Sequence, residues 1–132
     1  MVTIVDTSVL VAFERGHLNF GDVPFGSGTE IVISTITVAE LLHGVHRATN
    51  PAQRARRESF TRRLIDEETV LAFDLAAASV HARISAELAS RGVTIGAHDL
   101  LIAATAISVG GRVATRDLRS FPKIPGLEIL TC

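Results

Sequence analysis

Short apolar runs alternate with longer helical stretches along most of this chain, and this alternation limits the possible folds more than any other feature. The apolar runs are TIVD, EIVIS, TVLAF, RVAT and LEIL, at positions 3–6, 30–34, 69–73, 112–115 and 127–130. Strands separated by a dozen or more helical residues need crossover connections, which make the strands parallel and cover the sheet with helices. The sequence therefore predicts an α/β fold in which a mostly parallel sheet carries helices on both faces.

The stretches between the apolar runs have the periodicity and the end signals of helices. Predicted helices cover residues 8–15, 37–48, 50–68, 75–91 and 97–109. Asn50 followed by Pro51 is a strong helix start, Asp74 is placed to cap the next helix, and Gly16 and Gly92 follow helix ends. Ligands bind such sheets at the carboxyl ends of the strands, near the point where the strand order reverses. The residues that follow the strands are therefore the first candidates for a functional site.

Composition narrows the class of protein. The 132 residues are predicted to form one domain, residues 1–132, and the 47% of hydrophobic residues exclude a disordered chain. A net charge of −1 argues against a generally basic nucleic-acid binder but allows a local basic face. The single cysteine, Cys132, forms neither an internal disulfide nor a paired zinc site. Without an apolar stretch of ~20 residues or a basic leader, a cytoplasmic protein free of membrane is expected.

Four carboxylates lie at the ends of predicted strands or at the starts of predicted helices. Asp6 and Asp117 follow the first and fourth strands, whereas Glu40 and Asp99 lie in first turns of helices. Each has an ordinary structural explanation. Asp6 is placed to cap a helix and Asp117 to form an Asx-turn. Glu40 fits a capping box with Thr37, and Asp99 is a favourable charge at a helix start.

Taken together, the carboxylates indicate a metal site. If the sheet is parallel, all four converge on its carboxyl edge, where they repel one another and raise their own pKa values. A divalent cation neutralises such a cluster, and oxygen ligands without His or Cys partners suit Mg²⁺ or Mn²⁺. The chemistry that this set favours is phosphodiester hydrolysis by metal-activated water.

Four segments resemble, in order and spacing, the PIN-domain ribonucleases, and most of all the VapC toxins of bacterial toxin–antitoxin pairs. They are IVDTSVL at 4–10, TVAELLHG at 37–44, HDLLIAATA at 98–106 and ATRDLRSFPKIPGLEIL at 114–130. The resemblance implies a three-layer α/β/α sandwich with a mostly parallel, five-stranded sheet. It also implies a Mg²⁺- or Mn²⁺-dependent endoribonuclease, the toxin of a type II toxin–antitoxin system. The implied partners are RNA as substrate, a second copy in a homodimer, and a VapB-like antitoxin that blocks the site.

The resemblance assigns site residues by motif position. Asp6, Glu40, Asp99 and Asp117 become the catalytic acids. Asp6 and Asp99 are expected to bind the metal directly, and Glu40 and Asp117 through water. Arg116, beside Asp117, is the candidate for contact with the substrate phosphate.

The assignment of Asp117 has an alternative. Many relatives carry an acid further along this loop, where this chain has Ser120 and Phe121, and a site with three strong acids is then the other possibility. Ser8 and Thr115 are expected to support the carboxylates with their hydroxyl groups. Thr115 matches the family's small hydroxyl residue after the fourth strand, whereas Ser8 is placed at a helix start where it can hydrogen-bond near the carboxylates.

Three further choices stay open from the sequence. The arginines of 47–63 form either a solvated helix face or a flank that follows RNA phosphates. Apolar residues of the first two helices are either ordinary core residues or a groove for an antitoxin helix; they are Leu10, Phe13, Leu42 and Val45. The competing function is a PIN-like module that binds RNA or a partner without cleavage.

Overall fold

The computed structural model describes residues 1–132, with five strands and five α-helices. In chain order these are β1 Val2–Val5, α1 Thr7–Glu14, β2 Glu30–Ser34, α2 Thr35–His46, α3 Pro51–Glu67, β3 Thr69–Leu71, α4 Leu75–Ser90, α5 Ala97–Ser108, β4 Arg112–Thr115 and β5 Glu128–Thr131. Single 3₁₀ turns lie in the connections that lead to β2 and β5. All ten predicted elements are present, which confirms the α/β prediction. None of the five helices combines the length and the apolar character that a membrane crossing requires.

The strands form one sheet in the order β3-β2-β1-β4-β5, and every neighbouring pair is parallel. β1 lies at the centre, where Ile4 is paired with Val32 of β2 and with Val113 of β4. The chain builds one side of the sheet with β2 and β3 and the other side with β4 and β5. The strand order therefore reverses beside β1, and the carboxyl ends of β1 and β4 flank this switch point.

Successive side chains of the central strands pack into two separate hydrophobic layers. Ile4 of β1 belongs to a cluster with Ile84 of α4 and Ile102 of α5. Its neighbour Val5 belongs to a second cluster with Leu10 of α1. The alternation follows because successive side chains of a strand point to opposite faces of the sheet. The molecule is thus a three-layer α/β/α sandwich, as expected.

The start of α2 differs from the sequence prediction. The helix begins at Thr35 and is capped by Ser34, whose Oγ accepts the N–H of Ile36 at 3.0 Å. The capping box of Thr37 and Glu40 is therefore wrong, because both residues lie inside the helix. Ser34 is both the last residue of β2 and the cap of α2, so no loop separates the strand from the helix. Because Ser34 provides the cap, the side chain of Glu40 is free for another role.

The arginines of 47–63 have different surroundings. Arg57 donates to the carbonyl oxygen of Gly44 at 2.7 Å, and Arg54 donates to that of Ala48 at 3.4 Å. These carbonyl oxygens lie at the end of α2, where backbone acceptors lack partners within the helix. Two of the arginines therefore join α3 to the end of α2, and Arg62 is paired with Glu58 at 3.2 Å, which leaves fewer arginines for a phosphate-binding flank.

Gly111 marks a close approach between β4 and β1. A β-carbon at this position would lie 2.5 Å from the carbonyl oxygen of Val2. Side-chain carbons do not approach a backbone oxygen so closely, so only glycine fits here without displacement. The contact lies at the amino ends of the two strands, next to the first residue pair of β1 and β4, Thr3 with Arg112.

Candidate functional site

Asp6 lies directly after β1, beside the end of β4, and only 3% of its surface is exposed. Its backbone N–H donates to the carbonyl oxygen of Ala114 at 3.0 Å. A buried carboxylate is unfavourable unless hydrogen bonds or a cation compensate for the lost water. Ser8 Oγ donates to Oδ1 at 2.7 Å, and Thr115 Oγ1 donates to Oδ2 at 2.8 Å. The Val9 N–H donates to Oδ1 at 3.3 Å, which confirms Asp6 as the N-cap of α1.

The loop after β4 is tied to the same two hydroxyl groups. Thr115 Oγ1 accepts the N–H of Asp117 at 2.8 Å, and Ser8 Oγ accepts the N–H of Arg116 at 3.1 Å. Asp117 Oδ1 in turn accepts the N–H two residues later at 2.9 Å, which is the Asx-turn expected from the sequence. Ser8 and Thr115 therefore connect the Asp6 carboxylate to the backbone that carries Asp117.

Glu40 reaches the site from the second turn of α2. Its Oε1 accepts a hydrogen bond from Thr7 Oγ1 at 2.9 Å, and its Oε2 lies 3.7 Å from His98 Nδ1. Thr7 Oγ1 also lies 3.2 Å from the hydroxyl oxygen of Thr37, which is fully buried. Thr7 was missed in the sequence, where its place directly after Asp6 was the only signal. His98 is an exposed residue in the first turn of α5.

Asp99 lies in the first turn of α5, where the helix amide groups favour a negative charge. Partial burial raises its pKa, and the negative charges of Asp117 and Glu40 raise it further. Hydrogen bonding by Ser120 and the charge of His98 lower the same pKa. Asp99 is therefore close enough to two of the other predicted acids to feel their charge.

Asp6 is part of the same electrostatic environment. Burial raises its pKa from 3.8 to about 6, although the three hydrogen bonds described above lower it, and the charge of Asp99 adds a small increase. The charge of Asp99 raises the pKa of Asp6, and the charges of Glu40 and Asp117 raise the pKa of Asp99. The structure thus brings all four predicted carboxylates to the carboxyl edge of the sheet, where their negative charges accumulate.

The donor set fits a hard divalent cation that keeps part of its water shell. No three His, Cys, Asp or Glu side chains converge into a ready-made cage. Mg²⁺ is usually held by one or two carboxylates together with waters and substrate phosphates, so a closed cage is not required. Asp6 and Asp99, whose charges repel, are the two carboxylates that the sequence predicted as direct ligands.

The exposed rim of the site contains Arg116, next to Asp117. A shallow cavity here is lined by Ser8 and by residues 116–119. Arg116 is exposed, while its backbone is fixed by the hydrogen bond to Ser8. The guanidinium group of Arg116 therefore lies near the acids but forms no ion pair with any of them.

The four apolar residues considered as an antitoxin groove do not form one open surface. Leu10 and Val45 are 3% and 4% exposed and belong to the core, which is what the core interpretation predicted. Phe13 and Leu42 are partly buried. The prediction that these four side chains form an open groove is therefore wrong.

Comparison with known proteins gives consistent matches over the whole chain. A model of the PIN domain family matches residues 3–127, which include all four carboxylates. Ribonuclease VapC1 of Rickettsia felis is 37% identical over 131 residues, covering 99% of this chain and 96% of the relative. The tRNA(fMet)-specific endonuclease VapC of Salmonella typhimurium is 39% identical over 102 residues, covering 76% and 74%. The crystal structure of DNA-bound VapBC from Salmonella typhimurium has a TM-score of 0.87 at 30% identity, covering 99% of this chain and 98% of that chain.

Proposed function

The chain belongs to the PIN domain family and, within it, to the VapC ribonucleases, and on this premise we propose that the carboxylates beside β1 and β4 form its active site. The protein is an endoribonuclease, the toxin of a type II toxin–antitoxin system, and its partner is a VapB-type antitoxin. Its substrate is RNA, in which it hydrolyses phosphodiester bonds. The site that performs this hydrolysis comprises Asp6, Glu40, Asp99 and Asp117.

The proposed cofactor is Mg²⁺ or Mn²⁺. Asp6 and Asp99 would hold the ion directly, whereas Glu40 and Asp117 would act through water. When bound, such an ion lowers the pKa of water and stabilises negative charge on phosphate oxygens. Oxygen ligands without any nitrogen or sulfur donor favour these two ions over Zn²⁺.

The protein's own side chains prepare the site for this chemistry. Ser8 and Thr115 hold both carboxylate oxygens of Asp6, so the ligand does not have to reorient when an ion arrives. With its pKa raised to about 6, Asp6 is only half ionised near pH 6 and becomes largely ionised at higher pH, and ion binding strengthens with ionisation. Arg116 is proposed to contact a phosphate oxygen of the RNA.

The observation that carries the proposal is the burial of Asp6 next to other acids. A residue that only caps a helix needs neither burial nor a negative neighbour, and both features raise the pKa of Asp6 and weaken the fold. A binding site for a cation explains the arrangement, because the cation restores the favourable energy of the ionised carboxylates. Asp6 does cap α1, but this role does not explain why a second carboxylate, that of Asp99, lies near it.

The proposal is tested by cleavage of purified RNA. Wild type, Asp6→Asn and Asp99→Asn are incubated with Mg²⁺, with Mn²⁺ or with EDTA. Initiator transfer RNA is the first substrate to test, because one relative is named a tRNA(fMet)-specific endonuclease; ribosomal and messenger RNA follow. Asp66→Asn, which changes an exposed carboxylate of α3, is the matched control.

Wild type and Asp66→Asn are expected to cleave at equal rates. EDTA should abolish cleavage, and each site variant should lower the rate by more than about 100-fold. Cleavage that survives in both site variants would refute the assignment of the site. If wild type cuts no RNA with either ion, the chain is better explained as a PIN-like module that binds RNA or a partner without catalysis.

Two further expectations accompany the proposal. A homodimer is expected from the family and is tested by sedimentation of the purified protein. A cytoplasmic location is expected because the RNA substrate is found there.

A further inference from the structure

Thr7 lies between two residues of the proposed site, and its hydroxyl group makes contacts different from theirs. Asp6 and Ser8 interact with β4 and its following loop. Thr7 Oγ1 instead lies 2.9 Å from Glu40 Oε1 and 3.2 Å from Thr37 Oγ1, both in α2. The side-chain hydrogen bonds that join the turn between β1 and α1 to α2 are therefore those of Thr7.

The chemistry of the three groups fixes the direction of the hydrogen bonds. An ionised carboxylate only accepts, and a hydroxyl group carries one proton. Thr7 therefore donates to Glu40, and its oxygen accepts the proton of Thr37. Thr37 is fully buried and makes no other side-chain hydrogen bond, so its proton has no competing acceptor. The result is a chain of hydrogen bonds from the helix interior to Glu40.

The position of Thr7 is itself well determined. It is the first residue of α1, directly after the Asp6 cap, so the hydrogen bond that fixes Asp6 also fixes the backbone of Thr7. Glu40 has a long, partly exposed side chain, and its second carboxylate oxygen lies 3.7 Å from His98, beyond hydrogen-bond distance. Thr7 thus makes the one direct hydrogen bond that holds Glu40.

From this geometry we propose that Thr7 is a positioning residue, which holds the Glu40 carboxylate at the active site. The inference rests on the proposed function, because it assigns Glu40 to that site. Thr7 itself touches neither substrate nor ion in this role. Groups that orient the ligands of a metal site typically contribute about 10- to 100-fold in affinity or activity.

The test compares Thr7→Val, which removes the hydroxyl at nearly constant shape, with Thr7→Ser, which keeps it. Cleavage rates are measured for both, alone and combined with Glu40→Ala. Mn²⁺ binding in the absence of RNA is measured by calorimetry, and thermal unfolding reports stability. Thr105→Val is the matched control, since it removes a buried hydroxyl that donates only to the Leu101 carbonyl of its own helix, at 2.9 Å.

Thr7→Val is expected to lower the cleavage rate by about 10- to 100-fold and to weaken Mn²⁺ binding. Thr7→Ser should stay close to wild type, and Thr105→Val should cleave normally even if it unfolds earlier. In the Glu40→Ala background, Thr7→Val should have little further effect, because Thr7 acts through Glu40. Thr37→Val, a milder second variant, should show a smaller loss of cleavage.

The outcomes separate the inference from the proposed function. If wild type cleaves RNA and Asp6→Asn does not, yet Thr7→Val and Thr37→Val match wild type, only the inference is overturned. It is also overturned if Thr7→Val is equally damaging with and without Glu40. Failure of wild type to cleave any RNA would overturn the proposed function instead.

Discussion

Replacing Asp6 by Asn is expected to stabilise the protein at neutral pH while it abolishes cleavage. The native pKa of Asp6 is about 6, against an ordinary value of 3.8. Between these two pH values the native state binds more protons than the unfolded state, so stability falls as the pH rises through this window. Asn carries no charge and caps helices as well as Asp does, so the variant keeps the cap and avoids this loss.

The magnitude follows from the two pKa values. At about 1.4 kcal/mol per pH unit, the difference between 3.8 and about 6 corresponds to roughly 3 kcal/mol above pH 7. One oxygen of Asp6 becomes an amide nitrogen in the variant and no longer accepts the hydrogen bond from Thr115, which costs about 1 kcal/mol. The net gain for Asp6→Asn is therefore about 1–3 kcal/mol at about pH 8 and close to zero or slightly negative near pH 4.

The assay is urea unfolding of wild type and Asp6→Asn from about pH 4 to about pH 8, with EDTA present so that no cation stabilises the native carboxylate. Asp66→Asn, which changes an exposed carboxylate, serves as the control and should show no comparable gain with pH. A difference between Asp6→Asn and wild type that does not change with pH would refute the reasoning. A variant that is less stable than wild type at pH 8 would refute it as well.

Three other substitutions test separate parts of the structure. Gly111→Ala places a carbon 2.5 Å from the Val2 carbonyl oxygen. This variant should lower the free energy of unfolding, measured with urea, by about 1–3 kcal/mol. Unchanged stability would contradict the close approach of β4 to β1. Thr115→Val removes a hydrogen bond to Asp6 and should slow cleavage by about 10- to 100-fold, with rates equal to wild type as the contrary result. Arg116→Ala should weaken RNA binding similarly for all sequences and reduce its salt dependence by about one phosphate contact. Binding that keeps the wild-type salt dependence would exclude that contact.

The elements of the fold were predictable because their signals are local. Asn50 and Asp74 cap the helices they were expected to cap, with side-chain oxygens 2.8 and 2.9 Å from the amide nitrogens. The start of α2 was misplaced because Ser34 serves both as strand end and as helix cap, and a strand pattern hides the second role. Strand order was not predictable, since the pairing of β1 with β4 depends on residues that no local pattern connects.

The candidate site was predictable in its acids but not in what holds them. The sequence alone did not decide between a cap and a ligand for Asp6, and the structure shows a cap that is also buried beside other carboxylates. Thr7 carried no signal beyond its place directly after Asp6, because its partner Glu40 lies 33 residues away in the chain. Relations of this kind arise only when the helices pack.

The hydrogen bond between Thr115 and Asp6 joins residues 109 positions apart, and this separation has a consequence for the order of events during protein synthesis. The strand β1 leaves the ribosome first, and its neighbour β4 and the Asp117 loop follow only after the residues between them have been made. Contacts between such distant segments form late. The proposed active site is therefore incomplete in a nascent chain until β4 and the Asp117 loop have been made, so cleavage by that site has to wait for them.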